Sequence, residues 1–141
     1  MSKDILEVIS QLKDIWNFKP ATAEEIMAAE KELGLKFADD YIKCVSKYGV
    51  LSANGIELTG ITEYEDFSVV AVTQQERELD WNNIIPPNMY VIENLGIDGL
   101  IALQDETGTV YSIMPYDDEP EKWFDCLADY IIKMTESDED E

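Results

Sequence analysis

The chain is expected to form a single α+β domain: a central, mostly antiparallel β-sheet flanked by N-terminal helices and a C-terminal helix. Three observations lead there. Apolar residues recur at helical spacing up to Gly49, fall into short strand-like runs from there to Met114, and return to helical spacing from Trp123. Runs of strands bounded by runs of helices favour an antiparallel sheet over a parallel, doubly wound one. A length of 141 residues with 45% apolar composition suffices for one hydrophobic core but not comfortably for two. The expected division is one domain over residues 1–135 and an acidic, solvated, disordered tail over 136–141.

Each element has its own signal. Ile5, Val8, Ile9, Leu12, Ile15 and Trp16 make one apolar stripe, which predicts a helix over residues 3–16 and puts Trp16 in the core. Lys19-Pro20 ends that region, because proline disfavours helix in the residue before it. Thr22-Ala23-Glu24-Glu25 reads as a capping box, and the helix it opens should run to Leu33 and stop at Gly34. Asp39 or Asp40 is placed to cap a third helix, with Tyr41, Val45 and Tyr48 on one face and Gly49 as its stop. Strands are expected over 56–61 and 67–72. Thr73 to Glu76 reads as a second capping box, opening a short helix or turn through Asp80-Trp81 toward Pro86-Pro87. Strands over 89–94, 99–104 and 109–114 follow, the last two joined by the turn Asp105-Glu106-Thr107-Gly108. A final helix is expected from Trp123 to Met134, again with the tryptophan in the core.

Charge excludes several functions. The formal net charge is −21, and its distribution is uneven. Residues 1–49 hold seven basic and nine acidic side chains, whereas residues 50–141 hold three basic and 22 acidic ones, a net of −19. Such a chain repels phosphate backbones and anionic lipid, so neither nucleic acid nor membrane is an expected partner. There is no histidine, which removes Ser-His and Cys-His nucleophile pairs and the usual zinc sites. Two cysteines, Cys44 and Cys126, are no disulfide framework; both are expected inside helices as inert thiols. No catalytic residue, cofactor or metal site is assigned, and a cytoplasmic setting is expected. Asp117-Asp118-Glu119 lacks the ligand spacing of an EF-hand loop.

Residues 22–49 carry a more specific pattern: Thr22 to Ile26, then Glu30-Lys31-Glu32-Leu33-Gly34-Leu35-Lys36-Phe37, Asp40-Tyr41-Ile42 and Tyr48-Gly49. This resembles the opening signature of the SUKH superfamily, of the cell-wall-regulator-like SUKH-1 type. Asn94-Leu95-Gly96-Ile97-Asp98-Gly99, followed by Asp105 and Val110-Tyr111, resembles its second motif region, and Trp123-Phe124 its closing helix. The chain departs from the pattern at Lys36-Phe37-Ala38, where Leu-Pro is common, and at Asp98-Gly99, where the order is reversed. The resemblance implies an immunity protein without catalysis that binds and neutralises a cognate bacterial toxin, as a monomer or weak homodimer. The alternative it implies is a regulatory adaptor with a non-toxin protein partner.

The residues themselves say where a basic protein would bind. Three acidic segments stand out: Glu63-Tyr64-Glu65-Asp66, Glu76 to Asp80-Trp81, and Asp117-Asp118-Glu119-Pro120-Glu121; the first and third interleave with or abut Tyr64, Phe67, Tyr116 and Trp123. Carboxylates steer a cationic partner and aromatics anchor it, so Tyr64, Trp81 and Tyr116 are the expected anchors, with Glu63, Glu65, Asp66, Asp80, Asp117, Asp118 and Glu119 around them. Glu30 lies in the apolar stripe of its helix and is expected to be a structural carboxylate accepting a nearby donor.

Overall fold

Helix α1 (Ile5–Ser10) starts where an Asp4 carboxylate oxygen accepts the Leu6 amide at 3.0 Å, and it is shorter than the apolar stripe suggests. The helix closes at Gln11, and Asp14, in a left-handed conformation (φ 57°), turns the chain on toward the next strand. Trp16–Asn17 then forms strand β1, paired antiparallel with Ser52 and Leu51. Trp16 is therefore not a core residue: it is 50% exposed. In the computed structural model the described residues are 4–78, 85–96 and 98–136.

Helix α2 (Ala23–Leu33) carries the expected capping box: Thr22 Oγ1 accepts the Glu25 amide at 3.1 Å and Glu25 Oε1 accepts the Thr22 amide at 2.9 Å. Gly34 closes it at φ 73°. Helix α3 (Asp39–Tyr48) begins after Ala38 with no side-chain cap. The Asp40 carboxylate faces away from its own helix and accepts the Gln104 amide nitrogen at 3.0 Å and the Leu127 backbone amide at 2.9 Å.

Strands β2 (Leu51–Ala53) and β3 (Ile56–Glu57) form a hairpin across Asn54-Gly55, both at positive φ as a two-residue hairpin turn requires. Residues 67–72, expected as a strand, are not one. A single 3₁₀ turn (Glu65–Phe67) leads into helix α4 (Val69–Glu78), and Ser68 Oγ caps it by accepting the Ala71 amide at 3.1 Å. Val69, Val72, Thr73 and Glu76 point inward at helical spacing. Thr73 is thus no cap; its Oγ1 accepts the Val91 amide at 3.0 Å in the interior. The stretch expected to follow through Asp80-Trp81 lies outside the described residues, as does the tail beyond Glu136.

The second sheet has the order β4 (Tyr90–Asn94), β5 (Ile101–Gln104), β6 (Val110–Ile113), β7 (Glu121–Phe124), every neighbouring pair antiparallel. The Asp105–Gly108 turn joins β5 to β6 as expected, with the Gly108 amide donating to the Asp105 carbonyl at 3.0 Å. Trp123 belongs to β7 rather than to a helix, and α5 (Leu127–Met134) starts only after Cys126, which sits at its N-cap. Trp123 is nonetheless half-buried, its ring 5.6 Å from that of Tyr130. The two sheets and their helices form one α+β unit. Its main core gathers Ile5, Ile9, Tyr41, Leu51, Tyr90, Ile92, Tyr130 and Ile131, while a smaller one on the other sheet face gathers Val72, Val91, Leu103 and Ile113. No helix among the described residues is long and apolar enough to cross a membrane.

Candidate protein-binding surface

The acidic loop before α4 is held at its base by backbone. The Gly60 amide donates to the Phe67 carbonyl and the Val69 amide to the Gly60 carbonyl, both at 2.8 Å, while the Ile61 amide donates to the Gly49 carbonyl at 3.0 Å. A Cβ on Gly60 would lie 1.8 Å from the Gly49 carbonyl oxygen, so only glycine permits this approach. Residues 61–66 are thereby presented as a fixed projection, with Glu63, Tyr64, Glu65 and Asp66 all exposed.

Strand β1 lies beside that projection. Trp16 and Phe18, two residues apart on an extended chain, point the same way, and their rings meet edge-on at 4.8 Å. Phe67 approaches Trp16 at 6.1 Å and Phe18 at 5.5 Å, and Tyr64 approaches Phe18 at 5.5 Å. These centroid distances and the steep interplanar angles are those of favourable edge-to-face packing. The result is an aromatic quartet whose outer members, Trp16 at 50% and Tyr64 at 63%, stay open to solvent. Carboxylates at Glu63, Glu65 and Asp66 flank it, and no basic side chain among the described residues pairs with them.

Of the residues expected to bind a partner, the structure brings together Glu63, Tyr64, Glu65 and Asp66. Tyr116, Asp117, Asp118 and Glu119 form a separate projection, the β6–β7 turn. Tyr116 is 83% exposed at φ 71°, and Asp117 Oδ2 accepts the Met114 amide at 2.8 Å. No hydrogen bond, ion pair or ring contact among the described residues joins that turn to the Tyr64 loop. Asp80 and Trp81 lie outside the described residues. Phe67 is the aromatic that abuts the acidic segment in the sequence, whereas Trp16, expected in the core, and Phe18 were not expected at this surface; the alternation Trp16-Asn17-Phe18, a strand signal, was the available clue.

Several other titratable groups are held in the fold. Glu30 Oε2 accepts the Phe37 amide at 2.9 Å, the structural role expected of it. Cys44 is buried, and burial pushes its thiol up to about 12, which makes it inert at neutral pH. Tyr41 and Tyr90 are buried and hydrogen-bonded to Thr59 and to Gln104, and burial raises both phenols.

A model of the family described as SUKH_5, SMI1-KNR4 cell-wall, matches residues 3–134. The match supports the SUKH superfamily without assigning the SUKH-1 type. No curated protein matches the chain.

Proposed function

Because this chain belongs to the SMI1-KNR4 family of the SUKH superfamily, matched over nearly its whole length, we propose that it is an immunity protein that binds and neutralises a cognate basic toxin domain. Proteins of this family are generally non-catalytic immunity proteins. The observation that carries the reading for this chain is the exposed aromatic quartet beside the carboxylates of residues 63–66, which pair with no basic side chain among the described residues. Aromatic anchors bounded by charge are the usual composition of a protein-binding hot spot. Carboxylates on such a surface suit the cationic groove in which a nuclease-type toxin would hold phosphates. The inhibitor then acts by occupation, and no bond is made or broken.

The proposed interface is centred on Glu63, Tyr64, Glu65 and Asp66. Tyr116, Asp117, Asp118 and Glu119, on the separate β6–β7 turn, are carried as outlying contacts, and Asp80 and Trp81, outside the described residues, are kept as proposed contacts. The cell-wall description of the family favours a second reading, a regulatory adaptor with a non-toxin protein partner. Co-expression separates the two. The chain should protect cells from a toxin domain encoded beside its own gene and should co-purify with that domain. Association should slow steeply toward physiological ionic strength, where the Debye length shortens to about 8 Å. A neighbouring toxin that the chain neither binds nor restrains would sink the immunity reading.

A further inference from the structure

Resting on that binding reading, we infer that the groove between α2, α4 and the 61–65 loop seats an arginine-bearing segment of the partner. The groove encloses about 930 Å³, the scale of a site that takes a few side chains of a protein segment. Small residues, Ala28, Ala29 and Ala71 among them, also line it. Its walls are acidic on both sides. Helix α2 contributes Glu25 and Glu32, seven residues and so two turns apart, about 10 Å along one face. The loop contributes Glu63 and Glu65 opposite them. The Phe18–Tyr64 pair also lines the groove, and through Phe18 it is continuous with the aromatic quartet.

The charge and the shape select one occupant. Among the lining residues Lys19 is the one cation against four carboxylates, and its contact with Glu25 is long, 3.9 Å, and exposed. A pair of that kind gives way readily to a better-placed cation. The Thr22 amide holds the Glu25 carboxyl below its ordinary range, so this wall keeps its charge in mildly acidic conditions. A guanidinium is planar. It can lie against the Tyr64 or Phe18 ring while its two edges bond carboxylates from facing walls, and an ammonium can do only one of these well. Because the loop is clasped at Gly60, both walls are in place before binding and little ordering is left to offset.

The test uses the full chain and fluorescent oligoarginine and oligolysine peptides, with binding read as anisotropy. A triple variant of the groove, Glu32→Gln with Glu63→Gln and Glu65→Gln, is set against a triple variant of the β6–β7 turn, Asp117→Asn with Asp118→Asn and Glu119→Gln. Both remove the same charge from exposed or half-exposed positions, and thermal unfolding checks that each remains folded. The groove variant should weaken oligoarginine binding about tenfold, or about 1.4 kcal/mol, and the turn variant about twofold at most. Oligoarginine should bind the wild type more tightly than oligolysine, and Tyr64→Ala, which leaves only the Phe18 ring in the groove, should reduce that preference. Equal losses in the two triple variants, or no binding by the wild type, overturn the inference. If the groove variant loses the peptide yet still protects cells from the toxin, the groove is not the seat and the immunity reading stands. If the wild type itself gives no protection, it is the immunity reading that falls.

Discussion

Asp40, near the start of α3, caps a helix 87 residues further along the chain: its Oδ2 accepts the Leu127 amide at 2.9 Å, at the first residue of α5. Cys126, the N-cap of α5 by position, makes no side-chain cap bond, so Asp40 supplies what the local sequence does not. Its other oxygen accepts from Gln104, which ties α3, α5 and β5 to one carboxylate. Asp40→Ala should therefore destabilise the fold by about 1–3 kcal/mol, more than an ordinary cap, because the Gln104 amide is also left without this partner. Asp40→Asn, which keeps an acceptor, should recover part of the loss. Urea unfolding of the two variants measures this; a loss well under 1 kcal/mol for the alanine variant would refute it.

Glu93 offers a test by pH. It is 6% exposed, and it accepts the Tyr130 hydroxyl at 2.5 Å and the Glu57 amide at 2.8 Å, so it links β4 to α5 and β3. Burial pushes its carboxyl above the ordinary 4.5; the two donors oppose this, and the nearby Glu57 carboxylate reinforces it. A carboxyl raised in the folded state holds its proton more tightly there than in the unfolded chain. It contributes stability that is fully present below 4.5 and is lost as pH rises through the folded value. In Glu93→Gln the amide oxygen can accept from Glu57 and the amide nitrogen can donate to the Tyr130 oxygen, and nothing titrates. The stability of wild type relative to Glu93→Gln should be greatest below 4.5 and fall toward neutral pH. A difference that stays constant over that range contradicts the assignment.

What the sequence disclosed and what it hid follow from how local each signal is. The Thr22–Glu25 box and the Gly34 stop were legible because four consecutive residues complete the bonds. Val69-Val70-Ala71-Val72 looked like a strand because β-branched residues favour one, yet the Ser68 cap and the inward face of Val69, Val72 and Thr73 make it a helix. The stripe of α1 ran on to Trp16 in the sequence, but the helix closes at Gln11, and the left-handed turn at Asp14 sends Trp16 into a strand. At the candidate site the acidic segment at residues 63–66 was legible as composition. Phe67, next to Asp66, was legible with it, but Trp16 and Phe18 were not, because only tertiary packing brings β1 beside this loop.

Gly60 fixes the position of the Tyr64 loop, so Gly60→Ala should damage both stability and binding. The added methyl would meet the Gly49 carbonyl oxygen at 1.8 Å, backbone against backbone, with no flexible side chain to yield. Forcing atoms into so close a packing costs about 1–3 kcal/mol or more. Denaturant unfolding should show that loss, and the surviving folded fraction should bind the toxin less tightly than wild type. If Gly60→Ala unfolds like the wild type, the close approach does not hold this loop.

Charge steers a partner but holds it weakly once exposed, so the tightest contacts should be aromatic. Tyr64 and Trp16 stand at the two outer ends of the quartet, exposed yet supported by Phe18 and Phe67, which fixes their rings before binding. Tyr64→Ala and Trp16→Ala should each weaken toxin binding by about 2–4 kcal/mol. Tyr116 is 83% exposed and no other ring among the described residues supports it, so Tyr116→Ala should cost less, about 1 kcal/mol, as a rim contact does. Lys13→Ala, an exposed change on the near-neutral N-terminal third, serves as the control and should leave affinity unchanged. Calorimetry of each folded variant against the toxin domain ranks them. If Tyr116→Ala proves the most damaging and Tyr64→Ala and Trp16→Ala are silent, the toxin sits on the β6–β7 turn, and the quartet is only a packed edge of the first sheet.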